Sequence, residues 1–87
     1  KSSAHTAVKD DRVLADTSGG SWTLALPSSP AIGEQVRIAD PNQSWNGNNL
    51  TVDGNGNNIE DASTFTADVD GGDFIVVYNG TQWRVYA

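Results

Sequence analysis

The Asp-, Asn- and Gly-rich segment in the middle of the chain is the first place to look for chemistry. Residues 53–57 read Asp-Gly-Asn-Gly-Asn, which matches the opening of a calcium-binding EF-hand loop. Such a loop needs Gly at its sixth position and Glu at its twelfth, whereas this chain has Asn58 and Thr64 there. The aspartates within residues 68–73 flank a glycine pair, as solvated acids beside a turn do. The sequence therefore predicts no specific metal site and no cofactor.

Groups that could carry out catalysis are scarce. The chain has no Cys and a single His, His5, which lies in a polar N-terminal stretch where chains often fray. Pairs of the Ser–His or Cys–His kind need a histidine that the fold holds in place. A glycosidase needs two carboxylates about 5–9 Å apart across a cleft, which a small domain seldom provides. We therefore expect that the protein is not an enzyme.

Trp45 is the residue best suited to contact a ligand. It lies outside any strand pattern, among Gln, Ser and Asn, whereas the other two Trp residues are in phase with strand cores. An exposed aromatic ring beside amide groups can stack on a sugar ring. Trp45, Asn46, Asn48 and Asn49 are therefore a candidate site for a surface glycan. The alternative, which we favour, is that Trp45 folds back as a lid over one end of the domain.

The elements that position these residues are strands. Large apolar and small polar residues alternate in residues 21–26, and the pattern recurs in 35–40, 50–53 and 64–69 and more weakly in 12–17. Turn signals rich in Gly, Pro and Asn separate the segments, and no segment has helical spacing. The sequence predicts an all-β fold, a small antiparallel β-sandwich or barrel-like domain of about seven short strands.

The last two strands form a predicted hairpin. An Asn-Gly pair at 79–80 favours a two-residue type I′ turn, because both residues tolerate positive φ. Such a turn places Val76 opposite Trp83 and Phe74 opposite Val85. These four side chains then share one face, which we predict to be the core face.

The opposite face of the hairpin also carries apolar side chains. Ile75, Val77 and Tyr86 would be exposed to water in a single-layer monomer. A chain of 87 residues without Cys lacks the usual covalent staples, so oligomerisation is a natural source of further burial. Either a second sheet or another copy of the chain would cover them, and in the second case the three residues are a candidate subunit interface.

A short repeat stands in the polar middle of the chain. Residues 46–50 and 55–59 both read Asn-Gly-Asn-Asn followed by an aliphatic residue, with a period of nine. Two copies are too few for a solenoid. The repeat predicts two Asn/Gly turns, each leading into an aliphatic strand position.

Charge and length narrow the partners and the domain boundaries. The net charge of −6 and five scattered basic residues argue against a nucleic-acid partner. The sequence has no apolar run long enough to insert into a membrane. Lys at position 1 and the absence of Met indicate a fragment of a longer protein. We expect residues 1–5 to be a disordered or linker stretch and residues 6–87 to be a single β domain.

The order of the motifs resembles a segment of bacteriophage tail-fibre and tailspike proteins. The similar segments are Thr6–Val8, Asp11–Gly20, Thr23–Pro27, Gly33–Asp40, Asn48–Val52, Gly56–Ile59, Phe74–Gly80 and Trp83–Val85. The segment from Gly33 follows the family pattern G-[DE]-x-V-x-[FI]-x-D. Each segment alone is a strand beside a turn, so their order and spacing carry the resemblance. One departure is Asp10, which stands before the first motif where the family usually has Gly.

The resemblance implies a small β-structured module of a fibrous virion protein. It implies a homotrimer beside neighbouring domains of the same fibre, which spaces other domains or contacts a glycan of the bacterial surface. The implied location is the phage tail, which is extracellular when it acts on the host, and no catalytic residue can be transferred from the family. The main alternative is a monomeric carbohydrate-binding module that depends on Trp45, and a calcium-binding β-roll fragment ranks below it.

Overall fold

The fold of residues 1–87, described by a computed structural model, consists of short strands and contains no helix. The strands are β1 (His5–Thr6), β2 (Arg12–Leu14), β3 (Trp22–Ala25), β4 (Gln35–Ala39), β5 (Leu50–Asp53), β6 (Thr64–Ala67), β7 (Asp73–Tyr78) and β8 (Trp83–Tyr86). The all-β prediction is confirmed, with eight strands because the N-terminal segment forms one of its own. None of the secondary structure is a helix that could cross a membrane.

The strands form two four-stranded sheets. Sheet 1 has the order β1-β3-β5-β6 and sheet 2 the order β2-β4-β7-β8. The pairs β1–β3, β3–β5 and β2–β4 are parallel, whereas β5–β6, β4–β7 and β7–β8 are antiparallel. The predicted antiparallel arrangement is therefore wrong for half of the pairs. The first five strands alternate between the sheets, so next neighbours within a sheet run in the same direction.

One shared core joins the two sheets, and the predicted alternation identifies its members. Leu24 and Val52 on sheet 1 and Val36, Ile38 and Val76 on sheet 2 have no exposed surface. Side chains at every second position of a strand point to the same side, so each strand contributes alternate residues to the core. Burial of one such aliphatic side chain stabilises the fold by about 1.5–3 kcal/mol.

The β7–β8 hairpin has the predicted faces but a different register. Val76 pairs with Val85 and Tyr78 with Trp83, so the predicted pairing of Val76 with Trp83 is wrong by two residues. The connecting loop covers residues 79–82 instead of two residues. A shift by an even number leaves every side chain on its original face, so the predicted core face is confirmed.

The side chain of Asn79 explains the longer loop. Its Oδ1 accepts hydrogen bonds from the backbone N–H groups of Thr81 and Gln82, each at 2.9 Å. This local capping by an Asn side chain stabilises a turn in which only Gly80 adopts positive φ, at 100°. A type I′ turn at 79–80 would have required positive φ at both residues.

The N-terminal residues are part of the packed structure. Strand β1 begins at His5, inside the stretch predicted to be a linker or disordered. The amino group of Lys1 donates to the carbonyl of Leu14 at 2.7 Å, and the Asp16 N–H donates to the carbonyl of Lys1 at 2.7 Å. The chain therefore forms hydrogen bonds on both sides of the predicted boundary after residue 5, and the boundary itself stays a prediction.

Both Asn-Gly segments of the repeat form the predicted turns, but only the first leads into a strand, because Ile59 forms isolated β-bridges. Each forms a turn that leads into a buried aliphatic residue, Leu50 in one copy and Ile59 in the other. The carboxamides of Asn48 and Asn57, at equivalent positions, both donate to a backbone carbonyl of an earlier loop. The repeat therefore fastens two loops to the body of the domain.

Candidate functional site

Trp45 is a core residue, with 1% of its surface exposed. Its indole N–H donates to the carbonyl of Ala15 at 3.0 Å, and its ring meets Phe74 edge to face with centroids 6.0 Å apart. A ring enclosed in this way cannot stack on a sugar. The glycan site built around an exposed Trp45 is therefore wrong, and the ring folds back onto the core as in the favoured alternative.

The carboxylate of Asp40 holds the loop that carries Trp45. It accepts hydrogen bonds from the backbone N–H groups of Trp45 at 3.1 Å, Gly71 at 3.0 Å and Asn42 at 3.3 Å. Removal from water opposes ionisation, but these donors outweigh it and keep the pKa of Asp40 below its ordinary value of 3.8. One buried charge therefore joins the loop after β4 to the loop before β7.

The three asparagines of the candidate glycan site lie around this loop. Asn46 and Asn49 are exposed, and the backbone N–H of Asn46 donates to the carboxylate of Asp70 at 2.8 Å. Asn48 is half-buried, because its carboxamide donates to the carbonyl of Thr17 at 2.9 Å. Contact with a glycan stays a prediction, and it now depends on the two exposed amides without an aromatic platform.

The predicted interface residues lie on the outward face of sheet 2. Ile75 and Val77 are half-buried, and Tyr86 is 57% exposed. In the neighbouring strands Arg37 and Tyr86 stand beside Ile75, and Arg84 stands beside Val77. Cross-strand neighbours of this kind have Cβ atoms about 4.5–5.5 Å apart, so long side chains lie over the aliphatic ones. Whether a second copy covers this face stays a prediction.

Arginine gives this face its charge. Arg37 forms a two-pronged contact with Asp73 at 3.0 and 2.7 Å, and Arg84 contacts Glu60 at 2.6 Å. These hydrogen bonds lower the pKa of Asp73 and of Glu60. Arg12 on β2 stands beside Arg37 on β4 in the sheet, so all three arginines of the sequence lie on this face. We call this surface the arginine face; it comprises Arg12, Arg37, Arg84, Ile75, Val77 and Tyr86.

A second apolar surface opens between the edge strands β6 and β8, and sequence reasoning missed it. It is a groove with a volume of about 290 Å³, near the lower limit for ligand pockets. We call it the seam; its apolar side chains include Phe65, Ala67, Val69, Phe74 and Val85. Asp68 and Asp73 also line it. Val69, the last apolar residue of the alternating pattern in residues 64–69, is 67% exposed because β6 ends at Ala67.

The Asp, Asn and His side chains that were candidates for metal binding or catalysis contact nearby groups of the same chain. No group of three or more His, Asp or Glu side chains comes close enough to hold a metal ion. In the EF-hand-like segment, Asp53 accepts the Asn55 backbone N–H at 3.2 Å, and the Asn55 carboxamide donates to the carbonyl of Leu26 at 3.0 Å. His5 lies with its Nε2 3.7 Å from a carboxylate oxygen of Asp11.

No family model and no curated protein matches the chain. The fold and the surfaces define the class in structural terms: an all-β domain of two mixed four-stranded sheets, with an apolar seam beside an arginine-bearing face.

Proposed function

We propose that this domain is a structural module of a bacteriophage tail fibre or tailspike. It assembles as a homotrimer, stands beside neighbouring domains of the same fibre and supports attachment to the bacterial surface. The observation that carries the proposal is the order and spacing of the strand-and-turn motifs over residues 6–86. Those motifs supply β4, β5 and the β7–β8 hairpin, which contribute much of the core.

The one departure from the family pattern is compatible with the same backbone. Asp10 stands where the family usually has Gly, and its φ is 62°. Gly adopts this left-handed conformation readily, and Asp is among the few other residues that tolerate it. The turn before β2 can therefore keep a glycine-like shape with Asp in place of Gly, which supports the resemblance.

Apolar surface supports the trimeric part of the proposal. Val69 is 67% exposed, Tyr86 57% and Leu14 48%, in a chain with only 18 buried residues. Small domains without disulfides gain much of their stability from association, because a short chain buries a limited fraction of its surface. Assembly into a trimer would cover the seam and the arginine face at once.

The role is mechanical and not catalytic, and its place is the virion, outside the cell when the phage meets its host. A module of this kind holds the neighbouring domains of a fibre in fixed positions through rigid strands and shared interfaces. The two exposed amides of Asn46 and Asn49 are the groups that would contact a bacterial glycan directly.

The mass of the protein in solution tests the proposal. Light scattering on a size-exclusion column, over a tenfold range of concentration, should give about three times the 9.2 kDa of one chain. A mass of one chain at every concentration would overturn the trimer.

The alternative function, a monomeric carbohydrate-binding module, has lost the aromatic ring on which it depended. Its remaining candidate residues are Asn46 and Asn49. A monomeric protein that binds a bacterial polysaccharide saturably, and loses that binding when both residues are replaced by Ala, would put this function in place of the proposed one.

A further inference from the structure

We infer that the subunits meet head to tail, with the arginine face of one copy packed against the seam of the next. The inference rests on the proposed function for the existence of a trimer. A closed trimer requires contacts between two different surfaces, and the inference adds which two surfaces these are.

The two surfaces adjoin along β8. Val85 in this strand lines the seam, whereas the next residue, Tyr86, points to the arginine face. Each copy therefore offers two different surfaces that turn away from each other at one edge. When each copy binds the next through two different surfaces on adjoining sides, successive copies are rotated relative to one another. If the rotation leads back to the first copy, the assembly closes as a ring. In such a ring β8 lies nearest the symmetry axis.

The apolar groups of the two surfaces are complementary. The seam offers an open groove lined by Phe65 and Phe74, whose rings pack edge to face with their centroids 5.4 Å apart, and by the exposed Val69. The arginine face offers Tyr86, a half-exposed aromatic side chain on an edge strand. Aromatic side chains bury about 150–250 Å² each and dominate the energetics of interfaces. The ring of Tyr86 is the natural occupant of the neighbour's groove.

The charges are complementary as well. A net charge of −6 on each chain opposes association unless opposite charges are placed together. Every arginine lies on the arginine face, whereas Asp68 and Asp73 line the seam. Asp73 already pairs with Arg37, but neither Asp68 nor Arg12 takes part in an ion pair within the chain. Because Asp73 and Glu60 already neutralise Arg37 and Arg84, the unpaired charges are Asp68 on the seam and Arg12 on the arginine face. The head-to-tail contact brings these two opposite charges toward each other, whereas contact between two seams would oppose two Asp68 carboxylates.

The outer edge of the β8 backbone is already hydrogen-bonded within the chain, so another copy must contact β8 through side chains. The N–H of Trp83 donates to the carbonyl of Asn58 at 2.8 Å, and the N–H of Glu60 donates to the carbonyl of Trp83 at 3.0 Å. The N–H of Val85 donates to the carboxylate of Glu60 at 2.8 Å. These bonds occupy the outer edge of the strand, so another copy cannot extend sheet 2 there by strand pairing.

Disulfide trapping tests the contact, because the chain has no cysteine of its own. The Val69→Cys variant and the Tyr86→Cys variant are co-expressed with tags of different size and oxidised. A disulfide between the two tagged chains is expected, at least tenfold more abundant than either disulfide between like chains. Since Tyr86→Cys removes the ring that fills the groove, Val77→Cys with Val69→Cys is the second pair. Val8→Cys with Tyr86→Cys is the control, because Val8 is also about two thirds exposed, at 63%, on the β1–β2 side.

The outcomes separate this inference from the proposed function. A trimeric mass without a disulfide in either pair overturns the contact between the arginine face and the seam and leaves the trimer in place. Val69→Cys disulfides formed only between like chains overturn it too, because they indicate a twofold contact between seams. A mass of one chain at every concentration overturns the trimer and the contact together.

Discussion

Two fully buried tryptophans differ in one hydrogen bond. The indole N–H of Trp45 donates to the carbonyl of Ala15, whereas the indole nitrogen of Trp83 has no partner. A buried donor without a partner costs about 1–3 kcal/mol, because it loses its bonds to water and gains none. The two residues are otherwise alike in size and burial, which makes them a matched pair.

Replacing each tryptophan by Phe should separate the stability that the Trp45 hydrogen bond contributes from the cost of the unpaired Trp83 donor. Both variants lose similar volume, but Trp45→Phe leaves the Ala15 carbonyl unpaired and Trp83→Phe removes an unpaired donor. We expect Trp45→Phe to lower the free energy of unfolding by about 1–2 kcal/mol more than Trp83→Phe. Urea denaturation followed by circular dichroism measures both. Equal losses, or a larger loss for Trp83→Phe, would contradict the hydrogen-bond assignment.

The Asp40 carboxylate gives a pH-dependent stability. Its pKa is lowered in the folded state, so its contribution is complete above the ordinary value of 3.8 and is lost as the pH falls through the folded value. Asp40→Asn should lower the free energy of unfolding by about 1–3 kcal/mol at neutral pH, since its hydrogen bonds lose their charge. The variant should also lose less stability than the wild type on acidification below pH 3.8.

Asp10→Asn is the control for this measurement, because the side chain of Asp10 is exposed, accepts no hydrogen bond in the fold and lies outside the seam, and Asn tolerates the positive φ of this position as Asp does. Thermal unfolding from pH 7 to pH 2 follows all three proteins. If Asp40→Asn and the wild type lose stability in parallel throughout the acid range, the ionised Asp40 is not what holds the two loops.

For single residues, the sequence could predict burial only where a strand pattern surrounds the residue. Trp83 is in phase with β8 and was placed in the core correctly. Trp45 lies in a loop, and its burial depends on bonds to Asp40 and Ala15 from other parts of the chain. The nearest local signal was Asp40 itself, an acidic residue directly after an apolar strand.

At the scale of elements, alternation determines faces but not partners. A strand has the same period of two in parallel and antiparallel pairs, so the sequence could predict the core positions of β3, β4 and β5 but not the parallel pairs among them. Alternation also leaves the register of the β7–β8 hairpin undetermined, and the predicted register is wrong. The prediction makes the Asn-Gly pair at 79–80 the whole turn, whereas the Asn79 side chain caps a loop of four residues.

The Glu60-Asp61 turn is a device that closes the edge of β8. Both residues have positive φ, 48° and 70°, which costs energy for residues other than Gly. Glu60 is held by Arg84 and by the N–H of Val85, and Asp61 exchanges two hydrogen bonds with the side chain of Gln82. The strained turn is thus fastened to the strand that it protects.

Replacing Glu60 by Ala should release this edge. We expect the amide of Val85 to exchange its hydrogen about tenfold faster, because it loses a bond to a charged acceptor worth about 1.4 kcal/mol or more. Hydrogen exchange followed by NMR measures this amide directly. Glu34→Ala is the control, since Glu34 makes only a 3.5 Å contact within its own loop. Unchanged exchange at Val85 in Glu60→Ala would show that another group protects this edge.

At the scale of the whole molecule, the arginine face and the seam adjoin along one edge of the domain. The sequence could predict the apolar residues of the arginine face, because the hairpin's alternation exposes Ile75, Val77 and Tyr86. It could not predict the seam, because that groove exists only where β6 and β8 are both edge strands and β6 ends before Val69. Which strands form the edges is a property of the topology, and the topology differed from the prediction.

The measurement that tests the central claim most directly is sedimentation equilibrium of three proteins: the wild type, Val69→Asp and Val8→Asp. Both valines are about two thirds exposed, at 67% and 63%, so neither substitution should unfold the domain. Val69→Asp adds a charge to the seam, whereas Val8→Asp adds one on the opposite side. We expect the wild type and Val8→Asp to sediment as three chains and Val69→Asp as one. A wild type that sediments as one chain, or a Val69→Asp variant that stays trimeric, would contradict the account.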